Sequence, residues 1–371
     1  MVTIKDIAKE ADVCYNTVSI VLGERSKPGR VGEKIRARIR GIATKMGYSR
    51  NGVATSMRHG KTKVIAFISA NISREYTSGV IEGASMAAEK NQYFLKLITV
   101  ENDESFKISL DRLLEQRPAA LIIRTLTASQ LKILSNRMKS QDIPTAYIEN
   151  YELKPGTVNV FSDDIAGMQT IVEHLHSLGH KRIAHIAINL NLGYAARRYQ
   201  GYCQGMKKCG LALDDTLLFE GQYETKTEEY CAFMKKIASG EPLATALCTS
   251  SDYQSLHAMS MIQSLGKRVP EDFSIVGYAD MVFCRSSFPA LTTVKQPFEK
   301  MGMAAADNLI KAIRGEQFES TIQVPTELVI RDSTGAAVGR RSRQAESENR
   351  RIGVFVKIRN YELEITNRDT N

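Results

Sequence analysis

The sequence predicts two architectures in one chain: an N-terminal all-α helix-turn-helix head, then a two-lobed α/β core with parallel sheets. Three observations carry this. Positive charge is concentrated at the start, with 14 Lys and Arg against 5 Asp and Glu in residues 1–63 but 28 against 31 in residues 64–334. Apolar residues recur at helical spacing through the head. Beyond it, short apolar runs alternate with helical stretches, which implies βαβ units. The chain of 371 residues is long enough for two or three domains. A basic head on a slightly acidic body points to a polyanion as the head's partner and to something else for the body.

The first helix is expected from about Ile4 to Ala11, burying Ile4, Ile7 and Ala8, with Thr3 and Asp6 spaced for a capping box. A second runs from about Tyr15 to Leu22 with Val18, Val21 and Leu22 inward. Residues 23–30 hold two Gly and one Pro and read as a loop. A third helix, from about Glu33 to Met46, has apolar positions 35, 39, 42, 43 and 46, and Gly47 suits the position just past its end. Two short helices joined by a tight turn and braced by a third form a helix-turn-helix.

The body opens on the apolar run Val64–Ser69, then a helical pattern from about Ser78 to Asn91. Strands are expected at Phe94–Val100, Ala119–Ile123, Thr145–Ile148 and Val158–Phe161, with helices near 107–116 and 128–140. After a helix near 165–178 the pattern restarts with Ile183–Ile188, Ala244–Cys248 and Phe273–Gly277. Two series with a restart near 162 mean two lobes, and a cleft between lobes is where a small ligand would sit.

The head is identified as a member of a known class by Val2-Thr3-Ile4-Lys5-Asp6-Ile7-Ala8, Thr17-Val18-Ser19 and Met46-Gly47-Tyr48. These resemble the lactose-repressor (LacI/GalR) family of transcription regulators, and Asn51 to Arg58 resembles that family's hinge helix. Arg198-Tyr199-Gln200-Gly201-Tyr202, Ser274 to Tyr278, Pro289 to Val294 and Arg331-Asp332-Ser333 resemble segments of its periplasmic-binding-protein-like core. The domains implied are a head over 1–49, a hinge over 50–63, a core over 64–334 and an extension of unknown role over 335–371.

The resemblance implies that the second helix enters the major groove of operator DNA, while the paired hinge helices enter the minor groove. Tyr15 and Asn16 then face base edges, where Asn can bond adenine bidentately. Thr17, Ser19 and Arg30 fall to backbone positioning, with plain helix surface as the alternative for Thr17 and Ser19, and Thr3 is expected among the DNA-binding residues. Ile20 stands where the family usually has a guanine-reading Arg, and Cys14 where it has a capping Ser. In the hinge, Asn51 opens the segment, Ala54 is small enough for close approach to the partner hinge, and Met57 is the apolar wedge.

In the core, Arg198 is the leading effector-binding candidate, with a structural salt bridge as its alternative. Tyr76, Glu149, Phe161, Ser162, Ser251 and Asp280 complete the expected set. The family's Asn-Pro-aromatic loop reads Arg74-Glu75-Tyr76, and its acidic residue after Gly277-Tyr278 is Ala279, displaced to Asp280.

The expected function is sequence-specific regulation of transcription by a homodimer joined through the core. Its partners are double-stranded operator DNA and a small-molecule effector, for which a carbohydrate is the first expectation. Two rivals stay open: a regulator with no effector response, and a solute-binding protein, against which the basic head argues. No secretory signal or membrane span is read, so a cytoplasmic protein is expected. The six cysteines contain no C-x-x-C pair, and His174, His176, His180 and His185 lack a shared helical face, so no metal and no cofactor are expected. No catalytic constellation stands out.

Overall fold

A computed structural model of the chain describes residues 2–22, 31–48, 62–70, 72–139, 141–150, 156–221, 227–239 and 244–337. They belong to two compact units, one ending at Thr62 and one starting at Lys63. The expected hinge residues Asn51, Ala54 and Met57, Arg30 of the head, and the extension from 338 onward lie outside the described residues.

The head holds helices α1 (Ile4–Glu10), α2 (Tyr15–Leu22) and α3 (Glu33–Lys45). The Thr3–Asp6 capping box is formed: the Asp6 amide donates to the Thr3 hydroxyl, and the Thr3 amide donates to the Asp6 carboxylate at 2.8 Å. Ile7, Ala8, Val18, Val21, Ile39 and Ala43 make the small core, with Ile4 half-buried beside it. One expected core position is corrected. Ile35 is 39% exposed, and its neighbour Arg36 is buried instead. The Arg36 stem packs inward while its Nε donates to the Val31 carbonyl at 3.4 Å. Gly47, at φ 65°, ends the helix as expected.

The body is two six-stranded sheets, as the alternation predicted. The first has the order β11-β5-β4-β3-β1-β2. Its strands are β1 (Val64–Ser69), β2 (Phe94–Thr99), β3 (Ala120–Arg124), β4 (Thr145–Ile148), β5 (Val158–Ser162) and β11 (Thr321–Val324). Every pairing in it is parallel. The second has the order β12-β10-β9-β8-β6-β7. It holds β6 (Ile183–Ala187), β7 (Leu218–Glu220), β8 (Ala246–Thr249), β9 (Ser274–Ala279), β10 (Thr292–Lys295) and β12 (Glu327–Val329). Among the described residues, only β12 runs antiparallel to its neighbour.

Helices α4 (Glu75–Lys90), α5 (Asp103–Glu115) and α6 (Ala128–Met138) belong to the first lobe. Helices α7 (Asp164–Ser177), α8 (Gly193–Lys208), α9 (Glu228–Ser239) and α10 (Asp252–Ser264) belong to the second. Helix α11 (Phe298–Arg314) returns to the first lobe and lies against α4. The approach is close because both faces carry glycine. A Cβ on Gly83 would sit 1.9 Å from the Glu299 carbonyl oxygen, and one on Gly302 would sit 2.0 Å from that of Val80.

The chain therefore crosses between lobes three times, at 162–164, 295–298 and 324–327, where the sequence pattern revealed only the first. Tyr76, expected in a loop, lies in the first turn of α4, which begins three residues earlier than the apolar spacing suggested.

Candidate functional site

Two surfaces bear on function, one in each unit. In the head, Tyr15 and Asn16 are exposed at the start of α2, and Thr17, Ser19 and Ile20 are half-buried along it. The Cys14 carbonyl accepts from the Thr17 and Val18 amides at 3.0 and 3.4 Å, so Cys14 occupies the N-cap. Its sulfur lies 3.1 Å from the Thr17 hydroxyl. That hydroxyl and the first amides of α2 hold the thiol below its ordinary pKa. The Thr3 hydroxyl is engaged locally, donating to Asp6 at 2.7 Å.

In the body, a cavity of about 430 Å³ lies between the lobes, within the size range of small-molecule sites. Its polar wall comes from the carboxyl ends of parallel strands, where open α/β sheets place ligands. Arg124 and Thr125 follow from β3, Glu149 and Asn150 from β4, Ser251 and Asp252 from β8, and Tyr278 and Ala279 from β9. Strain collects at the same strand ends: Thr125, Glu149, Ala279 and Asp280 have φ of 52°, 57°, 130° and 60°. Such left-handed non-glycine residues persist where surrounding structure imposes them, and they cluster at ligand sites.

A polar chain runs between the two lobes behind this wall. Arg124 donates to the Thr77 hydroxyl at 2.6 Å and forms a short ion pair with Glu149. Its guanidinium lies over the Tyr76 ring, 4.8 Å from the centroid. Gln296, on the second crossing, donates to Glu149 at 3.3 Å and to the Ser162 hydroxyl at 2.8 Å. It accepts from Arg198 at 2.9 Å. Arg198 also donates to Asp164 at 2.9 Å and to the Ser250 carbonyl at 2.6 Å, with its guanidinium 3.9 Å from the Tyr278 ring centroid.

Gly201 explains the spacing of the Arg198 motif. A Cβ there would meet the Ile165 carbonyl at 2.5 Å, so glycine lets α8 close on α7 and brings Arg198 to Asp164. Asp252 is fully buried, accepting from Thr293 at 2.6 Å and from the Met281 amide at 2.9 Å, and burial pushes its carboxyl pKa up. At the mouth, the Val282 amide of the second lobe donates to Glu75 of the first at 2.7 Å. The Arg74 guanidinium sits over the Tyr253 ring at 5.7 Å.

Of the effector residues expected from sequence, the fold brings Tyr76, Glu149, Arg198 and Ser251 together on this wall. Arg198 also makes the buried ion pair that was its alternative. Phe161, Ser162 and Asp280 are placed elsewhere. Phe161 lies under the Arg197 guanidinium at 5.4 Å, and Ser162 is buried behind Gln296, bonded to it and to Asp164. Asp280 pairs with Arg331 at 2.5 Å, because the turn at 279–280 sends its carboxylate away from the cavity while Ala279 and Met281 line it. Sequence reading missed Arg124 and Gln296. An arginine closing the otherwise apolar run Ala119–Ile123 was the available signal.

Comparison with known proteins covers both units. Residues 3–51 match the family described as bacterial regulatory proteins, lacI family, and residues 172–334 match a periplasmic binding protein-like domain. The chain is 31% identical over 340 residues to the HTH-type transcriptional repressor PurR of Haemophilus influenzae (strain PittEE), covering 90% of this chain and 98% of that protein. It is 30% identical to the repressor of the same name from Histophilus somni (strain 129Pt), covering 90% and 99%. Among solved structures, the lac repressor dimer bound to operator and the anti-inducer ONPF aligns with a TM-score of 0.75 at 24% identity, over 90% of this chain and 99% of that one. The complex of the transcriptional regulator CelR with cellobiose aligns with a TM-score of 0.65 at 25% identity, over 90% and 100%. With a helix-turn-helix head, a two-lobed core and repressor relatives at 30–31% identity covered over nearly their whole length, the chain belongs to the LacI family of DNA-binding transcription regulators.

Proposed function

We propose that this regulator is a repressor that binds its operator as a homodimer under the control of a small molecule held in the interlobe cavity. The single observation that carries the effector reading is the cavity itself. It is walled by strained strand ends from both lobes and backed by a polar chain that joins them, so a ligand there interacts with whichever lobe arrangement it favours. The relative that binds cellobiose keeps carbohydrate as the first class to test.

Tyr15, Asn16 and Ile20 are the base-facing residues of this reading, Thr17 and Ser19 the phosphate-facing ones, with Thr3 and Arg30 beside them. Asn51, Ala54 and Met57 keep their hinge roles from the resemblance alone. The homodimer is supported by apolar side chains on the first lobe's rim, where Met86, Phe94, Leu97 and Ile108 are 43–75% exposed, and by Phe288 on the second at 91%. Among the described residues no helix is long and apolar enough to cross a membrane.

Selection of bound duplexes from a random pool by the full chain tests the reading. A two-fold related site, whose affinity shifts when an effector is added, is the expected result. Recovery of no preferred sequence overturns it.

A further inference from the structure

Four charged side chains reach the cavity wall among the described residues: Arg124, Glu149, Arg198 and Asp252. None offers a free charge to a ligand. Arg124 and Glu149 pair with each other, with only 2% and 12% of their side chains exposed. Arg198 pairs with Asp164 at 5% and 0%. Asp252 accepts two internal hydrogen bonds within the second lobe. An ionic ligand would either bring an uncompensated charge beside buried pairs that are already balanced or displace a partner from one of them, and both are far costlier there than at a surface.

The rest of the wall is mostly apolar and aromatic. Tyr76 and Phe298 line it from one side, Tyr194 and Tyr253 from the other. Such rings accept a flat group by stacking. The buried Nε–H of Arg124 has no acceptor among the described residues, and a hydroxyl or carbonyl oxygen could take it without disturbing Glu149.

We infer that the cavity selects an uncharged ligand bearing a flat apolar group and excludes ions of either sign, with the Arg124–Glu149 pair as the specificity determinant. This rests on the effector-site reading above. The probes are benzamide, benzoate and benzamidinium, matched in shape and differing in charge, titrated into the full chain and followed by ligand-observed NMR.

Benzamide is expected to bind at least about tenfold more tightly than either ion, and Leu126→Trp, which intrudes on the cavity, should weaken its binding about tenfold or more. Glu149→Gln frees the Arg124 charge and should raise the affinity for benzoate relative to benzamide about tenfold or more. Arg124→Gln should do the same for benzamidinium. The wild-type series decides by itself if either variant fails to fold. Benzoate or benzamidinium binding wild type as tightly as benzamide overturns the exclusion and leaves the effector site standing. Absence of binding by all three overturns the inference and leaves the effector-site reading to the operator-affinity test; a benzamide affinity unchanged by Leu126→Trp puts the binding outside the cavity and overturns the inference too.

Discussion

Helix α2 of the head and the cavity of the body handle polar groups in opposite ways. On α2, Tyr15 and Asn16 stand exposed on a helix whose buried residues are only Val18 and Val21. In the cavity, nearly every polar side chain already holds another, from Thr77 through Arg124, Glu149 and Gln296 to Arg198 and Asp164. The difference follows from water. An exposed donor loses little while it waits for a base edge, whereas a buried one must be satisfied in the unliganded protein. Substitutions should therefore damage function without stability at the first surface, and stability along with function at the second.

The largest effect expected is at Asp164. Asp164→Asn leaves the Arg198 guanidinium buried without its counter-charge, and such losses run to about 3–5 kcal/mol. Urea unfolding of the body transition should show this; a loss below about 1 kcal/mol would mean the pair is not structurally important.

Next comes pH. His185 is fully buried, stacked 4.9 Å from Tyr202 and beside Cys248, and burial lowers its pKa to about 3. In the unfolded chain the same ring titrates near 6.5, so below that pH the unfolded state takes up a proton that the folded state refuses. Stability is complete above pH 6.5 and falls by up to about 1.4 kcal/mol per unit as pH drops towards 3. Burial lowers the pKa of His174 in the same direction. Denaturation midpoints between pH 7.5 and 4.5 should show the slope, and His185→Gln should flatten most of it.

Asn16 is the counterpart in the head. Asn16→Ala should cost about 1–3 kcal/mol of operator affinity, with discrimination lost at one base pair. Its thermal stability should stay within about 0.5 kcal/mol of the parent. A stability loss matching the affinity loss would erase the contrast between the two surfaces.

The smallest effect is at Cys14. Serine is a better N-cap than cysteine, so Cys14→Ser should stabilise the head by about 0.5–1 kcal/mol, read as a shift in its melting temperature. No gain would show that the contact with Thr17 already satisfies the helix start.

What was legible in the sequence follows how local each determinant is. The bounds of α2, β1 and β4 were read from apolar pattern alone, because each is a short run whose burial its own residues dictate. Helix α11 escaped notice because its meaning lies in α4, more than two hundred residues earlier, where Gly83 receives it. Arg36 and Ile35 exchanged places because spacing counts apolar side chains and ignores the long aliphatic stem that lets an arginine pack inward. In the cavity, Tyr76, Glu149, Arg198 and Ser251 were found through the resemblance. Phe161, Ser162 and Asp280 were misplaced, since one turn or one intervening side chain separates lining a wall from standing behind it.

The three crossings also govern how the protein must be made. The first lobe consists of residues from the start of the body together with α11 and β11, which leave the ribosome only after the whole of β6 to β10. Until then the glycine-bearing face of α4 and the outer edge of β5 are uncovered, and an uncovered strand edge invites pairing with a neighbouring chain. Domains usually complete themselves in order of synthesis. Here the earlier lobe finishes last, so nascent chains halted anywhere before residue 324 carry an incomplete first sheet whatever the state of the second.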